Sequence, residues 1–181
     1  MHQLVIILYS FVYARRQKKL VEEIERELLT RDVEQFKNCD LCQVAWSLGI
    51  AKKWDSKMFD VIEESVFQRE LHQFSKSQRF LLLKGYVVAK RLTKRLYEGL
   101  QVSFFKERFS NFTATEIFVL ACYFSEADND SGPLINAGQL FDKLEREILT
   151  KGKLFFKEQQ LDRIKKGFWK VGKGTKELFE L

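Results

Sequence analysis

Residues 58–67 read MFDVIEESVF, and the spacing of their apolar members decides what kind of fold the chain builds. Met58, Phe59, Ile62, Val66 and Phe67 stand at offsets 0, 1, 4, 8 and 9, which project as one apolar stripe on an α-helix, with Asp60 and Glu63 turned away from it. The same offsets recur at Leu20, Val21, Ile24, Leu28 and Leu29, at Leu96, Tyr97, Leu100, Phe104 and Phe105, and at Leu140, Phe141, Leu144, Ile148 and Leu149. Leu178 and Phe179 begin a fifth copy. The starts lie 38, 38, 44 and 38 residues apart, and the long interval holds DNDSGP at 128–133, a turn-rich stretch expected to be a six-residue loop insertion.

Upstream of every stripe lies a more apolar segment: 3–14, 40–51, 78–91, 113–126 and 158–171. Each reads as the first helix of a hairpin whose second helix carries the stripe. These first helices are apolar over more of their circumference, as in EIFVLACYF at 116–124, so neighbouring hairpins are expected to sandwich them. Hairpins that cannot cover their stripes alone do so by stacking. The spacing therefore predicts an all-α chain, an α-solenoid of about five helical hairpins of ~38 residues. It would form one domain over 1–181, with repeats 1–34, 35–74, 75–112, 113–156 and a partial 157–181.

The opening run, MHQLVIILYSFVYARRQKKL, is too short at Leu4–Ala14 to cross a bilayer, which takes roughly 20 apolar residues. A secretory signal would carry its charge before the apolar run, and Glu22, Glu23, Glu25 and Glu27 spoil a mitochondrial presequence. A targeting segment is expected to be absent or already removed. Instead, Leu4 to Ala14 aligns with Leu41 to Ala51 at a constant offset of 37, pairing Tyr9 with Trp46, Ser10 with Ser47 and the following Arg15–Arg16 with Lys52–Lys53. The opening run is a first helix like the others.

Composition points the same way. The chain is 45% hydrophobic with a single Pro in 181 residues, which favours a folded, helix-rich protein able to bury a core. Cys39, Cys42 and Cys122 are an odd number, which argues against a disulfide-stapled secreted domain and for a reducing compartment. Cys39 and Cys42 form a lone CxxC, and His2 and His72 are the only histidines, so these thiols read as packing groups rather than metal ligands.

The second unit, LCQVAWSLGIAKKWDSKMFDVIEE at 41–64, resembles the octotricopeptide and heptatricopeptide repeats of organellar RNA-binding proteins, related to the helical part of FAST-kinase-like and RAP-domain proteins. The matching residues are Leu41, Ala45, Trp46, Ser47, Leu48, Lys52, Asp55, Met58, Phe59 and Ile62. The other units are degenerate, with Tyr9 or Tyr86 where the Trp stands and ACYF at 121–124 in the fourth. The resemblance implies a right-handed α-solenoid that holds RNA in a mitochondrion or plastid, as a maturation factor or ribosomal component. The family's base-reading code does not transfer to units this degenerate.

Charge adds to that expectation. Division at 34, 74, 112 and 156 gives net charges of 0, −1, +7, −3 and +3. The third unit holds Lys76, Arg79, Lys84, Lys90, Arg91, Lys94 and Arg95, and the fifth holds Arg163, Lys165, Lys166, Lys170 and Lys173. Basic pairs close the first helices at Arg15–Arg16, Lys52–Lys53 and Lys90–Arg91. One such pair needs only the dipole at a helix C-terminus, but three in register would line an edge able to track phosphates. The acidic fourth unit interrupts that edge. Phe59, Phe67, Tyr97, Phe104, Phe105 and Phe141 belong to the stripe and are expected in the core. Trp54 and Trp169 lie near turns and basic residues, where packing between units outweighs base stacking as the expected role.

Little in the sequence suggests catalysis. Gly167 to Lys173 imitates a GxxxxGK phosphate loop, but Gly174 replaces the Ser or Thr that would bind magnesium and no strand precedes it. No Ser-His-Asp set, GxSxG elbow or His-rich cluster is present. The expected protein is non-catalytic and uses no cofactor, metal or small-molecule substrate. It would contact RNA, rRNA in the ribosomal case, within an organellar ribonucleoprotein such as a mitochondrial ribosome. The alternative is a protein-binding scaffold without RNA contact. Apolar faces at the terminal repeats are expected to be covered by neighbouring subunits of a large assembly.

Overall fold

The computed structural model describes residues 2–13, 18–131 and 137–181. Every regular element among them is helical. Ten α-helices follow in order: α1 His2–Tyr13, α2 Lys18–Leu29, α3 Asn38–Ile50, α4 Met58–Gln68, α5 Lys76–Val88, α6 Lys94–Phe105, α7 Ala114–Ser131, α8 Ala137–Lys151, α9 Glu158–Lys170 and α10 Lys176–Glu180. Short 3-10 turns at Val33–Gln35, Leu71–Gln73, Phe109–Asn111 and Lys153–Phe155 precede α3, α5, α7 and α9.

Local chemistry sets these boundaries in the same way each time. A buried Phe follows each 3-10 turn: Phe36, Phe74, Phe112 and Phe156. Four residues beyond it a polar side chain turns back to cap the chain. Ser75 N–H donates to Gln78 at 2.8 Å while Gln78 N–H donates to the Ser75 hydroxyl at 3.3 Å, and Thr113 and Glu116 form the same reciprocal pair. Asp40 and Gln160 accept in the same way from Lys37 N–H and Lys157 N–H.

The first helices also end alike. Lys52, Lys90 and Gly172 take φ of 57°, 54° and 65°. Beyond them Lys53 N–H bonds Leu48 C=O, Arg91 N–H bonds Tyr86 C=O and Lys173 N–H bonds Phe168 C=O, at 2.9–3.0 Å. This is a Schellman closure, which satisfies the last carbonyls of the helix.

The contacts divide the chain into two units, Met1–Leu92 and Thr93–Leu181, so the expected hairpin 75–112 has α5 in one and α6 in the other. In the first unit α3 packs between α1 and α5, and α2 packs on α4. The closest approach is between α3 and α5. A Cβ added at Gly85 would lie 2.7 Å from the Ala45 carbonyl carbon, and one at Gly49 would lie 2.6 Å from Gly85 O. In the second unit α7 packs on α9, where a Cβ at Gly167 would meet Ala121 O at 3.0 Å and Ser125 Oγ at 2.9 Å. There α8 packs on α6 and α10.

Second helices grip the next first helix through aromatic rings 27 residues further along the chain. Phe59–Tyr86, Tyr97–Phe124 and Phe141–Phe168 all meet edge-on with centroids 4.9–5.0 Å apart. Such a pair is worth ~0.5–1.5 kcal/mol beyond the area it buries. Tyr86 adds a hydroxyl bond of 2.6 Å to Phe59 C=O.

Two expectations are corrected. The stripe positions at offsets 1, 4 and 8 are buried in all four full copies, but Leu29 and Phe105 at offset 9 are 39% and 41% exposed, and Phe67 and Leu149 are half-buried. At 100° per residue, offset 9 lies 180° from offset 0, at the rim of the stripe. The insertion is also not a loop at its start: α7 continues through Asp128, Asn129 and Asp130 to Ser131. Adding a residue to a formed helix is easy, and the first strong breaker is Gly132. Gly132 and Pro133 lie outside the described residues.

Candidate functional site

The basic residues divide sharply by what they touch. Arg15 and Arg16 lie outside the described residues. Lys53, Arg91 and Lys173 follow the left-handed residue at the end of α3, α5 and α9. Each reaches back 31 residues to an acid on a second helix: Lys53 Nζ lies 2.8 Å from Glu22, Lys173 Nζ lies 3.2 Å from Asp142, and Arg91 pairs with Asp60. These three are inter-hairpin clamps. The Arg91 and Lys173 pairs are part-exposed and worth ~0–1 kcal/mol each, so register rather than strength is their contribution, whereas the Lys53 side chain is only 15% exposed. Lys53 is further held by Glu25 at 3.9 Å.

Arg79 is only 7% exposed on α5 and presents no charge to solvent. Lys94 and Arg95 open α6 and are exposed, with Lys94 Nζ 4.0 Å from Glu98 on the next turn. What remains is a set of lysines with no carboxylate partner among the described residues. These are Lys52 and Lys90, both exposed, and half-buried Lys84 in the first unit; in the second they are Lys165, Lys166 and Lys170.

Lys165, Lys166 and Lys170 surround Trp169 near the C-terminal end of α9. The indole is 78% exposed, so the packing role expected for Trp169 is not what the structure gives it; Trp54 is likewise 51% exposed. The last of the fifth unit's cations, Arg163, is occupied. Its guanidinium lies 4.9 Å from the Phe118 ring centroid and 3.9 Å from Glu126.

The phosphate-loop imitation between Gly167 and Lys173 resolves into structural parts. Gly167 allows α9 to approach α7, Gly172 is the left-handed closure, and Lys173 is a clamp. The thiols resolve in the same way. Burial pushes Cys42 far up, and Cys122 up to about 11, away from the reactive thiolate. Burial also raises Tyr86 and Tyr123. Among the described residues no three His, Cys, Asp or Glu side chains gather as a metal site, and no helix is long and apolar enough to cross a membrane.

Sequence reasoning passed over one cationic groove. Lys106, Arg108, Lys143 and Arg146 line an open depression of about 480 Å³ between the end of α6 and α8, together with Glu107 and Glu147. Lys143 is already used, donating to Phe105 C=O at 2.7 Å and Glu107 C=O at 3.1 Å. The two carboxylates and the carbonyl end of α6 oppose an anion there. Comparison of the chain with family models, with curated proteins and with solved structures finds no match.

Proposed function

We propose that the protein is a non-catalytic, RNA-contacting α-solenoid of about five hairpins, acting as a structural component of an organellar ribonucleoprotein such as a mitochondrial ribosome. The recurrence of one closure, one aromatic latch and one ion-pair clamp at repeat spacing supports the solenoid part. The resemblance at 41–64 supports the organellar setting. The observation that carries RNA contact is the placement of Lys52 and Lys90. Both hold the left-handed conformation, at φ of 57° and 54°, where Gly172 fills the equivalent place. A side chain there costs roughly 1 kcal/mol relative to glycine. Neither lysine has an ionic partner among the described residues that would offset the cost. A strained cation kept on the surface is explained by an external anion, and a phosphate backbone fits.

Replacing both residues, Lys52→Gly with Lys90→Gly, tests this. The variant should unfold at a higher temperature than wild type and bind RNA more weakly, with a salt dependence of log K shallower by about 1.4 for two lost phosphate contacts. Unchanged affinity and slope would sink the reading. A protein-binding scaffold is the second reading, favoured by Leu154, 96% exposed, and Val102, 56% exposed.

A further inference from the structure

The two neighbours of α3 fit it very differently. Toward α5 it offers Ala45 and Gly49, small residues over which Gly85 brings the two backbones close together. At 100° per residue, Gln43, Ser47 and Asp40 lie about 160°, 200° and 220° round the helix from Ala45, a polar stripe turned toward the other neighbour, α1. His2 of α1 agrees with that placement, its Nδ1 lying 2.7 Å from Asp40 Oδ1.

What α1 lays over the stripe is aliphatic. Val5, Leu8 and Val12 are buried, while Gln3 and Ser10 of the same helix are exposed. The mismatch leaves Gln43 Oε1 and Ser47 Oγ buried with no hydrogen-bond partner among the described residues, and Ser47 is only 1% exposed. Other buried serines are satisfied by their own helix: Ser103 Oγ donates to Leu100 C=O at 2.7 Å and Ser125 Oγ to Cys122 C=O at 2.8 Å. A buried polar atom left unpaired carries its full desolvation cost. The outer side of α1 is mismatched in the opposite sense, since Ile6 and Ile7 are 46% and 41% exposed. We propose that α1 is a displaceable cover, and that Asp40, Gln43 and Ser47 form a docking stripe for a partner protein's helix whose facing side carries amide or hydroxyl groups. Such a helix packs in the place of α1 and gives both orphaned oxygens a partner. The α1 of a second copy would bring the same aliphatic residues and the same mismatch. The proposal does not depend on RNA contact.

Amide exchange on the full chain tests the cover. Residues 4–12 should exchange at least about tenfold faster than 41–48, through local opening of α1. Gln43→Leu with Ser47→Ala removes the orphaned atoms and should slow exchange at 4–12 about tenfold, with circular dichroism unchanged. Equal protection of the two segments in wild type, or no slowing in the variant, would overturn the cover. Occupancy is read with two labelled peptides spanning residues 2–13, one unchanged and one carrying Leu8→Gln. Leu8 aligns with Ala45 and Ser47 with Gly85, so residue 8 is the one set against Ser47. The Leu8→Gln peptide should bind the full chain at least about tenfold tighter than the unchanged one and speed exchange at 4–12 as it displaces α1. Equal or weaker binding of the Leu8→Gln peptide would overturn the partner chemistry, and preference for the unchanged peptide would assign the stripe to a second copy instead.

Discussion

Gly85→Ala probes the contact on which the first unit is built. The new Cβ would lie 2.7 Å from Ala45 C, 2.8 Å from Ala45 O and 2.8 Å from Trp46 N, all backbone atoms of α3 that no rotamer change can remove. Ordinary carbon contacts begin about 0.6 Å farther out, so α3 and α5 would have to separate by roughly that distance. Leu41, Leu48, Leu82 and Leu83, all fully buried on these two helices, would lose contact as they part. Overpacking of this kind costs ~1–3 kcal/mol, and alanine returns ~1 kcal/mol through its better helix propensity. The net expectation is a loss of up to about 2 kcal/mol, or a fall of up to about 8 °C in melting temperature followed by circular dichroism. Gly138→Ala is the control. Its Cβ would meet only the end of the Lys173 side chain, at 3.1 and 3.3 Å, so the propensity gain should survive and the melting temperature should hold or rise. A Gly85→Ala protein as stable as Gly138→Ala would refute the close packing of α3 on α5.

Two further outcomes follow from the same geometry. At pH 8 a thiol reagent should modify half-buried Cys39 first, whereas Cys122, raised to about 11 from an ordinary 9.0, carries about a hundredfold less thiolate and should react only as the protein opens; comparable rates at all three thiols would contradict the burial. The sign for stability follows: Cys122 and the raised Tyr86 remain protonated when folded but ionise when unfolded, so stability should hold below about pH 9 and decline above it, and a flat alkaline profile would count against both placements. A double-mutant cycle on Arg91→Ala and Asp60→Ala should give a coupling below about 1 kcal/mol that fades in salt, while a coupling of several kcal/mol would mean that the clamps hold the hairpins together energetically.

Much of this was legible in the sequence, because stripe residues such as Ile62, Leu100 and Leu144 face the core wherever the helix sits. The all-helical character of the chain also follows from the spacing. Contacts between hairpins were not legible in the same way. Phe59 and Tyr86 could each be read as apolar, but their meeting depends on how one hairpin docks on the next; the constant separation of 27 residues was the available signal. Basic pairs were harder still. Lys52 and Lys53 are neighbours in sequence, yet the left-handed turn between them and α3 sends one toward solvent and the other onto Glu22. Composition cannot separate such roles, so Lys53, Arg91 and Lys173 look like ligand-binding cations until their partners are seen. Arg79 was misleading for a related reason, since a long side chain on an apolar helix can lie flat within the packing. Trp169 failed in the opposite direction, an indole expected between helices that stands in solvent.

The most direct test of RNA contact is the affinity of the wild-type chain for single-stranded RNA measured between 50 and 200 mM salt. Lys52 and Lys90, each neutralising one phosphate, predict log K falling linearly with log salt, at a slope of about −1.4 or steeper. An affinity that does not change with salt, or no binding at 50 mM, would contradict it.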